Sequence, residues 1–355
     1  MNECMNKVTA LAMTLEPLEY QAAHGALMSV AAVPNGTALD PLMLGSNHAS
    51  YKHGLHSGLN SNNPPLNDRQ ESLEESLQAL NSHNLAKQNS AALMNRIDTK
   101  YLIPKQYLQG MLKALSDDYS VLCENDKRIF TYETTYFDTP NKHFYHAHHN
   151  GHLNRRKVRF RRYVESNMGF MEVKLKNNKR RTIKKRVPMD CVRANDEHVK
   201  EFVSQCLAEG EHSEKLDHKE SMTQGLSKDE SLLNTSLFVN YRRITLLNKH
   251  HQERLTIDVD LHFQCSQSNN SRQLEDLFIV EVKRDAKQQA SSFSNVVKKL
   301  SLKPINFSKY CLGLALTHGG QLKTNRFKQT LLRVEKIAAL AKSSAVNNNK
   351  YFIGE

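Results

Sequence analysis

Between about residue 94 and residue 285, apolar and charged positions alternate with a period of two. Side chains at i, i+2 and i+4 of a strand share a face, so each such run predicts a strand with one apolar and one charged side. In "NRIDTKYLI", Arg96, Asp98 and Lys100 share a face and Ile97 lies opposite. In "RRKVRFRRY", Arg155, Lys157, Arg159 and Arg161 oppose Val158 and Phe160. "MEVKLK" sets Glu172, Lys174 and Lys176 against Val173 and Leu175. "ERLTIDVDLHF" sets Arg254, Thr256, Asp258 and Asp260 against Leu255, Ile257, Val259 and Leu261. "FIVEVKRD" sets Glu281 and Lys283 against Val280 and Val282.

The pattern shifts outside this block. Leu108, Met111, Leu112 and Leu115 recur at helical spacing after Pro104, predicting a helix over 104–115. Leu331, Leu332, Val334, Ile337 and Leu340 do the same within 326–342. Residues 35–92 are rich in Asn, Ser, Gly and His and bury little, with a weak helix expected near Glu71–Leu85. The expected organisation is a largely disordered extension over 1–93, a domain over 94–320 with a polar insert at 207–231, and a C-terminal helix and tail over 321–355.

Composition adds two constraints. Lys and Arg number 49 against 37 Asp and Glu, a formal charge of +12, which favours a polyanionic partner. The six cysteines are scattered with no CxxC pair, which argues for a reducing compartment and against a zinc ribbon. No run of about 18 apolar residues predicts a spanning helix, and residues 22–33 do not read as a signal peptide. The expected location is the cytoplasm.

A solvated sheet face would mix its charges with Ser, Thr and Gln. Here Glu-x-Lys recurs at 172–174 and 281–283, and the face of Arg155 to Arg161 carries no acid. Aligned cations repel unless an anion compensates. The expected fold is therefore α+β: a closed antiparallel β-tunnel of about eight strands with a polar, cationic interior. Helices at 104–118 and 326–342 would cover its apolar outside.

The ordered series "RIDTKYLI", "TTYFDTPN", "KVRFRRY", "FMEVKLK", "IKKRV", "VNYRR", "RLTIDVD", "IVEVK" and "FSKYCLG" resembles the VTC (vacuolar transporter chaperone) type polyphosphate polymerase domain. That domain is a member of the triphosphate tunnel metalloenzyme, or CYTH-like, superfamily. The resemblance runs from about Met94 to Leu316. It implies a metal-dependent phosphotransferase that moves the γ-phosphoryl group of a nucleoside triphosphate, ATP, onto polyphosphate. It implies catalytic roles for Arg159, Arg161, Lys174, Arg243 and Arg254, and phosphate binding by Lys100, Lys184, Lys283 and Lys309. Glu281 and then Glu172 would hold Mn²⁺ or Mg²⁺, with Asp258 and Asp260 as less certain helpers. Lys185 and Arg186 compete with Lys184 for its place, and Arg242 competes with Arg243. "RIDTK" lacks the ExExK motif of the wider superfamily, as VTC-type domains do.

Bland readings stand beside these. Lys309 reads equally as a surface lysine at a helix start, and Glu172 and Glu281 as wall partners for neighbouring lysines. Arg155, Arg156 and Arg162 read as rim or solvent residues. His143, His146, His148, His149 and His152 read as a solvated hairpin loop rather than a metal site. A hydrolase on the same scaffold and a non-catalytic polyphosphate sensor are the alternative functions. A nucleic-acid binder predicts aromatic residues among the cations, but Phe160 falls opposite Arg159 and Arg161, so no nucleic acid is expected. A separate membrane protein is a conceivable partner.

Overall fold

The alternation folds into a single large sheet. The computed structural model describes residues 72–90, 96–178, 182–189, 201–207, 233–268, 270–285, 290–318 and 320–350. In chain order they form α1 (Leu73–Gln78), β1 (Ser82–His83), α2 (Leu85–Ser90), β2 (Arg96–Pro104), α3 (Leu108–Leu115), β3 (Tyr119–Leu122), β4 (Phe130–Asp138) and α4 (His143–Asn150). Then come β5 (Arg155–Tyr163), β6 (Met168–Lys176), β7 (Thr182–Pro188), α5 (residues 201–207), β8 (Asn234–Asn248) and β9 (Glu253–Cys265). The chain continues as β10 (Ser271–Leu274), β11 (Leu277–Asp285), α6 (Ser292–Lys299), α7 (Lys309–Thr317) and α8 (Lys328–Lys350).

The main path runs β2-β11-β9-β8-β4-β5-β6-β7, antiparallel throughout. β3 adds to β8, β10 to β9, and β1 pairs with β3 in parallel. The sheet is rolled. Lys174 on β6 lies within electrostatic range of Glu281, Asp98 and Lys100, from the opposite end of the strand order. Among the described residues the seam between β2 and β7 carries no backbone ladder, so curvature rather than a closed ring of hydrogen bonds makes the tunnel.

The outer face of β2, β11, β9 and β8 buries Ile103, Val280, Val282, Leu255, Ile257, Ile244 and Leu246. α3 covers it with Leu108, Met111, Leu112 and Leu115, as their spacing predicts, and α6 adds Phe293 and Val297. Full burial of each such side chain contributes about 1.5–3 kcal/mol. Leu77 and Leu80 join the same cluster, so residues 72–90 belong to the folded core rather than to an extension. The rest of 1–93, and nearly all of the 207–231 insert, lie outside the described residues. On the outer face of β5 and β6, Val158, Phe160, Met171 and Val173 pack under Val203, Cys206 and Leu207 of α5.

The inner face is divided along its length. One end is charged; the other holds Leu102, Ile279, Leu237, Val239 and Phe263, packed against Tyr310, Cys311 and Leu314 of α7. α8 adds Val334 and Ile337 to this inner cluster, whereas its periodicity had placed it over the outside. Leu332 and Leu340, counted in its apolar stripe, are exposed.

A bulge lets β9 serve both ends. Its pairing with β8 slips between Asn240 and Arg242, and Asp260 takes a left-handed φ of 52°. The slip changes which residues face inward, from Arg254, Thr256 and Asp258 to Leu261, Phe263 and Cys265. A bulge inserts one unpaired residue and so inverts the alternation beyond it.

α7 lies close against the sheet because Gly313 has no side chain: a Cβ there would meet Leu237 Cδ2 and Phe263 Cδ1, each at 2.5 Å. Replacing Gly313 by Ala should therefore overpack this contact and cost about 1–3 kcal/mol, read as a lower urea midpoint at unchanged m-value.

Candidate active site

The charged end of the inner face is organised around three carboxylates, each holding two cations. Register explains the first set. Arg159 on β5 stands directly across from Glu172 on β6, and Lys184 on β7 is one row away beside Lys174. Arg159 donates through Nε at 2.6 Å to Glu172 Oε2, and Lys184 Nζ lies 2.5 Å from Oε1. The second set joins β8, β9 and α7. Arg243 pairs in register with Asp258 and donates to both its oxygens, at 2.6 and 3.0 Å. Lys309 bonds the same carboxylate from the first turn of α7. In the third, Glu281 on β11 lies 2.9 Å from Lys283 and 3.8 Å from Lys100 on β2.

Burial alone would raise all three acids, but their cations hold them low. Arg159, Arg161 and Lys184 keep Glu172 well below the usual carboxylate range. Arg243 and Lys309 bring Asp258 to about 2, and Lys283 and Lys100 hold Glu281 far down. Burial also pushes Lys184 and Lys283 down to about 8, although Glu172 and Glu281 oppose it. All three carboxylates are therefore ionised at neutral pH, acting as hydrogen-bond acceptors that aim cations.

Aromatic rings support the cations. Tyr132 and Tyr241 stack with centroids 5.2 Å apart, and Arg243 lies 4.8 Å and 5.3 Å from the two rings. Arg161 lies 5.5 Å from the Tyr132 ring, and Lys309 Nζ 4.6 Å from that of Tyr241. Such contacts strengthen when desolvated. The sequence reading missed both tyrosines, yet the i, i+2 rule puts Tyr241 on the face of Arg243.

The remaining expected residues separate cleanly. Arg161 is buried on the inner face, and its Nε has no hydrogen-bond partner among the described residues. Lys174 opens toward the tunnel space, and burial is the main reason its pKa falls. Arg254 is in register beside Lys283. Arg243, not Arg242, faces inward: Arg242 lies on the opposite face with Asp260 at 2.6 Å and Glu74 at 3.5 Å. Asp260 is thus no helper of the tunnel, because the bulge turns it away. Lys184 takes the place that Lys185 and Arg186 contested. Lys309 does start a helix, but its side chain is only 13% exposed and points at Asp258.

Two further expectations are corrected. The histidine run is helix α4, not a solvated loop, with Phe144, Tyr145, Ala147 and His149 buried. Asp138 starts it by accepting from the backbone N–H groups of Thr139, Phe144 and Tyr145 at 2.8, 2.9 and 2.9 Å, and from Tyr310 Oη. That capping is invisible to periodicity. Arg155, read as a rim residue, lies on the inner face in the row of Lys176. The Arg162 side chain is partly exposed, in keeping with its reading as a rim or solvent residue, and lies 3.3 Å from Glu133.

Divalent cations such as Mg²⁺ and Mn²⁺ prefer hard oxygen donors, and Mg²⁺ is commonly held by one or two carboxylates together with substrate phosphates. Among the described residues no group of three or more His, Cys, Asp or Glu forms a ready cage. The Glu172 side chain is 2% exposed and fully engaged, whereas Glu281 is 19% exposed with a long contact to Lys100. Glu281 fits a shared ion of this kind; Glu172 fits better as the holder of Arg159 and Lys184.

Asp258 carries a stability consequence. Its folded pKa is depressed, so its contribution is present above the unfolded value near 4 and is lost as pH falls through about 2. Asp258→Asn should destabilise the protein by about 3–5 kcal/mol at pH 7. In thermal unfolding, its deficit against the parent should shrink as pH falls from 4 toward 2.

No curated protein matches the chain. Solved structures match it at low similarity. A proposed adenylate cyclase from Bacillus halodurans is 12% identical with a TM-score of 0.37, over 61% of this chain and 94% of that one. A proposed adenylyl cyclase from Hippeastrum, described as having a dominant triphosphatase activity, is 12% identical with a TM-score of 0.34, over 64% and 97%. The PH1819 protein of Pyrococcus horikoshii is 11% identical with a TM-score of 0.33, over 62% and 96%. The model of one family, the VTC domain, matches residues 95–318, well over half of the chain and the segment that builds the tunnel and its charged face. The chain belongs to the VTC domain family.

Proposed function

We propose that this chain is a polyphosphate polymerase: it transfers the γ-phosphoryl group of ATP to the end of a polyphosphate chain inside the tunnel, with Mn²⁺ or Mg²⁺. The observation that carries the reading is the pairing of three carboxylates, Glu172 and Asp258 buried and Glu281 partly so, with two cations each on one concave face. Such a face keeps a net positive charge that a phosphate chain would neutralise. Phosphoryl transfer asks a protein mainly for positioning and charge stabilisation.

In this reading a terminal oxygen of the acceptor attacks the γ-phosphorus, the bond to the β–γ bridging oxygen breaks, and ADP leaves with that oxygen. Arg159, Arg161, Lys174, Arg243 and Arg254 stabilise charge on the transferring group. Lys100, Lys184, Lys283 and Lys309 hold the flanking phosphates. Arg159 and Arg243 are suited to clasping two phosphate oxygens at once, their planes being fixed by Glu172 and Asp258. A bound divalent ion would supply further charge neutralisation at the phosphates, with Glu281 as its protein ligand. Among the described residues no helix is long and apolar enough to cross a membrane. The reading places the enzyme in the cytoplasm.

The test is incubation of the purified full chain with γ-labelled ATP and Mn²⁺ or Mg²⁺, with products resolved by length. Labelled polymer is expected, abolished by chelation. Arg159→Ala and Glu281→Ala should each lower kcat by about 10²–10³. Labelled orthophosphate as the sole product would make the chain a hydrolase. Tight polyphosphate binding without turnover, lost in Arg159→Ala and kept in Glu281→Ala, would make it a sensor.

A further inference from the structure

One part of the inner face is not accounted for by the three carboxylates. Arg155 on β5 stands directly across from Lys176 on β6, and Lys157 directly across from Lys174. Like charges in directly opposed positions destabilise a sheet. One row further along, the equivalent pair is Arg159 and Glu172, where the acid removes the conflict. Arg155, Lys157 and Lys174 have no ion-pair partner among the described residues.

A second element closes over this block. α4 packs on β5, and its His148 lies within electrostatic range of Lys157, Arg155, Lys174 and Lys176, its Nε2 buried without a hydrogen-bond partner among the described residues. Arg155 Nε is likewise buried and unsatisfied. Buried polar atoms in this state call for a missing partner. Cys311 of α7 adds a thiol near Lys157 and Arg155 but no carboxylate.

We infer that Lys157 and Arg155, with His148 closing over them from α4, form a second anion site that receives a phosphate unit of the acceptor chain. It adjoins the triphosphate held around Glu172, Asp258 and Glu281, since Lys157 stands across from Lys174. Along β5, Lys157 is displaced from Arg159 by two residues, about 7 Å, so an extended phosphate chain could engage both rows at once. Opposed cations and unsatisfied donors from two elements are what an anion of high charge density would satisfy together. The protonation balance agrees: burial brings Lys157 down to about 7, with Lys174, Lys100 and Arg159 pushing the same way. Burial, with Lys157, Arg155, Lys174 and Lys176 acting the same way, brings His148 to about 2, leaving a neutral imidazole able to donate one hydrogen bond. A bound anion would reverse the pressure on Lys157.

The assignment of the acceptor rests on the polymerase reading; the anion site itself does not. The experiment titrates inorganic pyrophosphate by calorimetry into the full chain saturated with a non-hydrolysable ATP analogue. Lys157→Gln should weaken pyrophosphate by about tenfold or more, whereas Lys157→Arg should stay within about threefold. Affinity for the nucleotide analogue alone should change by less than about threefold in both. Lys157→Gln should also raise the melting temperature of the anion-free protein, because it removes a like-charge contact; a merely structural lysine would lower it. Unchanged pyrophosphate affinity in Lys157→Gln overturns the inference, as does an equal loss of nucleotide and pyrophosphate. If the wild type makes no polymer but Lys157→Gln still loses pyrophosphate selectively, the site stands and the polymerase reading falls.

Discussion

Everything in this protein is arranged around the cost of crowding cations onto a concave surface. A lone buried ammonium or guanidinium is prohibitively expensive, and a fully neutralised one would be useless for holding an anion. Glu172, Asp258 and Glu281 strike the balance by sharing each carboxylate between two cations. The acids fix direction more than they cancel charge. Each cation is drawn from a different strand or helix, so the same contacts also tie β5 to β7, β8 to α7 and β2 to β11.

The division of the interior follows from the same balance. A rolled sheet lined with charge along its whole length would lack a core on that side. α7 supplies one by entering the apolar end, and its first residue, Lys309, completes the charged end through Asp258. Asp138 anchors this arrangement from β4, taking the amides that start α4 and the hydroxyl of Tyr310. Burial keeps its carboxyl above the ordinary value despite those donors. One short element therefore both plugs the apolar end and completes the charged one.

Much of this was legible in the sequence because a strand's period is rigid. Lys100, Arg159, Arg161, Lys174, Arg254, Lys283, Glu172 and Glu281 all fall on the inner face that alternation assigned them, while Lys184 and Arg243, named through the family resemblance with their register left open, fall there too. Errors arose where the period breaks or where long-range contacts decide. Asp260 was misplaced because a bulge leaves no clear mark in composition. α4 was missed because five histidines mask a helix whose start depends on Asp138, a residue before the run. α8 was assigned to the wrong face because periodicity reports that a stripe is buried, not what buries it. Leu77 and Leu80 were hidden in a polar stretch whose average outweighs two well-placed leucines.

The bulge at Asp260 also constrains how the chain can vary in length. Elsewhere in the sheet, residues can be gained or lost in connecting loops without disturbing the walls. Within β9 the extra residue at the bulge lets Asp258 and Leu261, three positions apart, both face the tunnel. Loss of one residue there would remove the bulge and leave regular alternation with Phe263 still inside, whereas loss of one elsewhere in β9 would turn over every side chain between that point and the bulge. A single-residue deletion in this strand should accordingly preserve the interior at Asp260 and disturb it anywhere else.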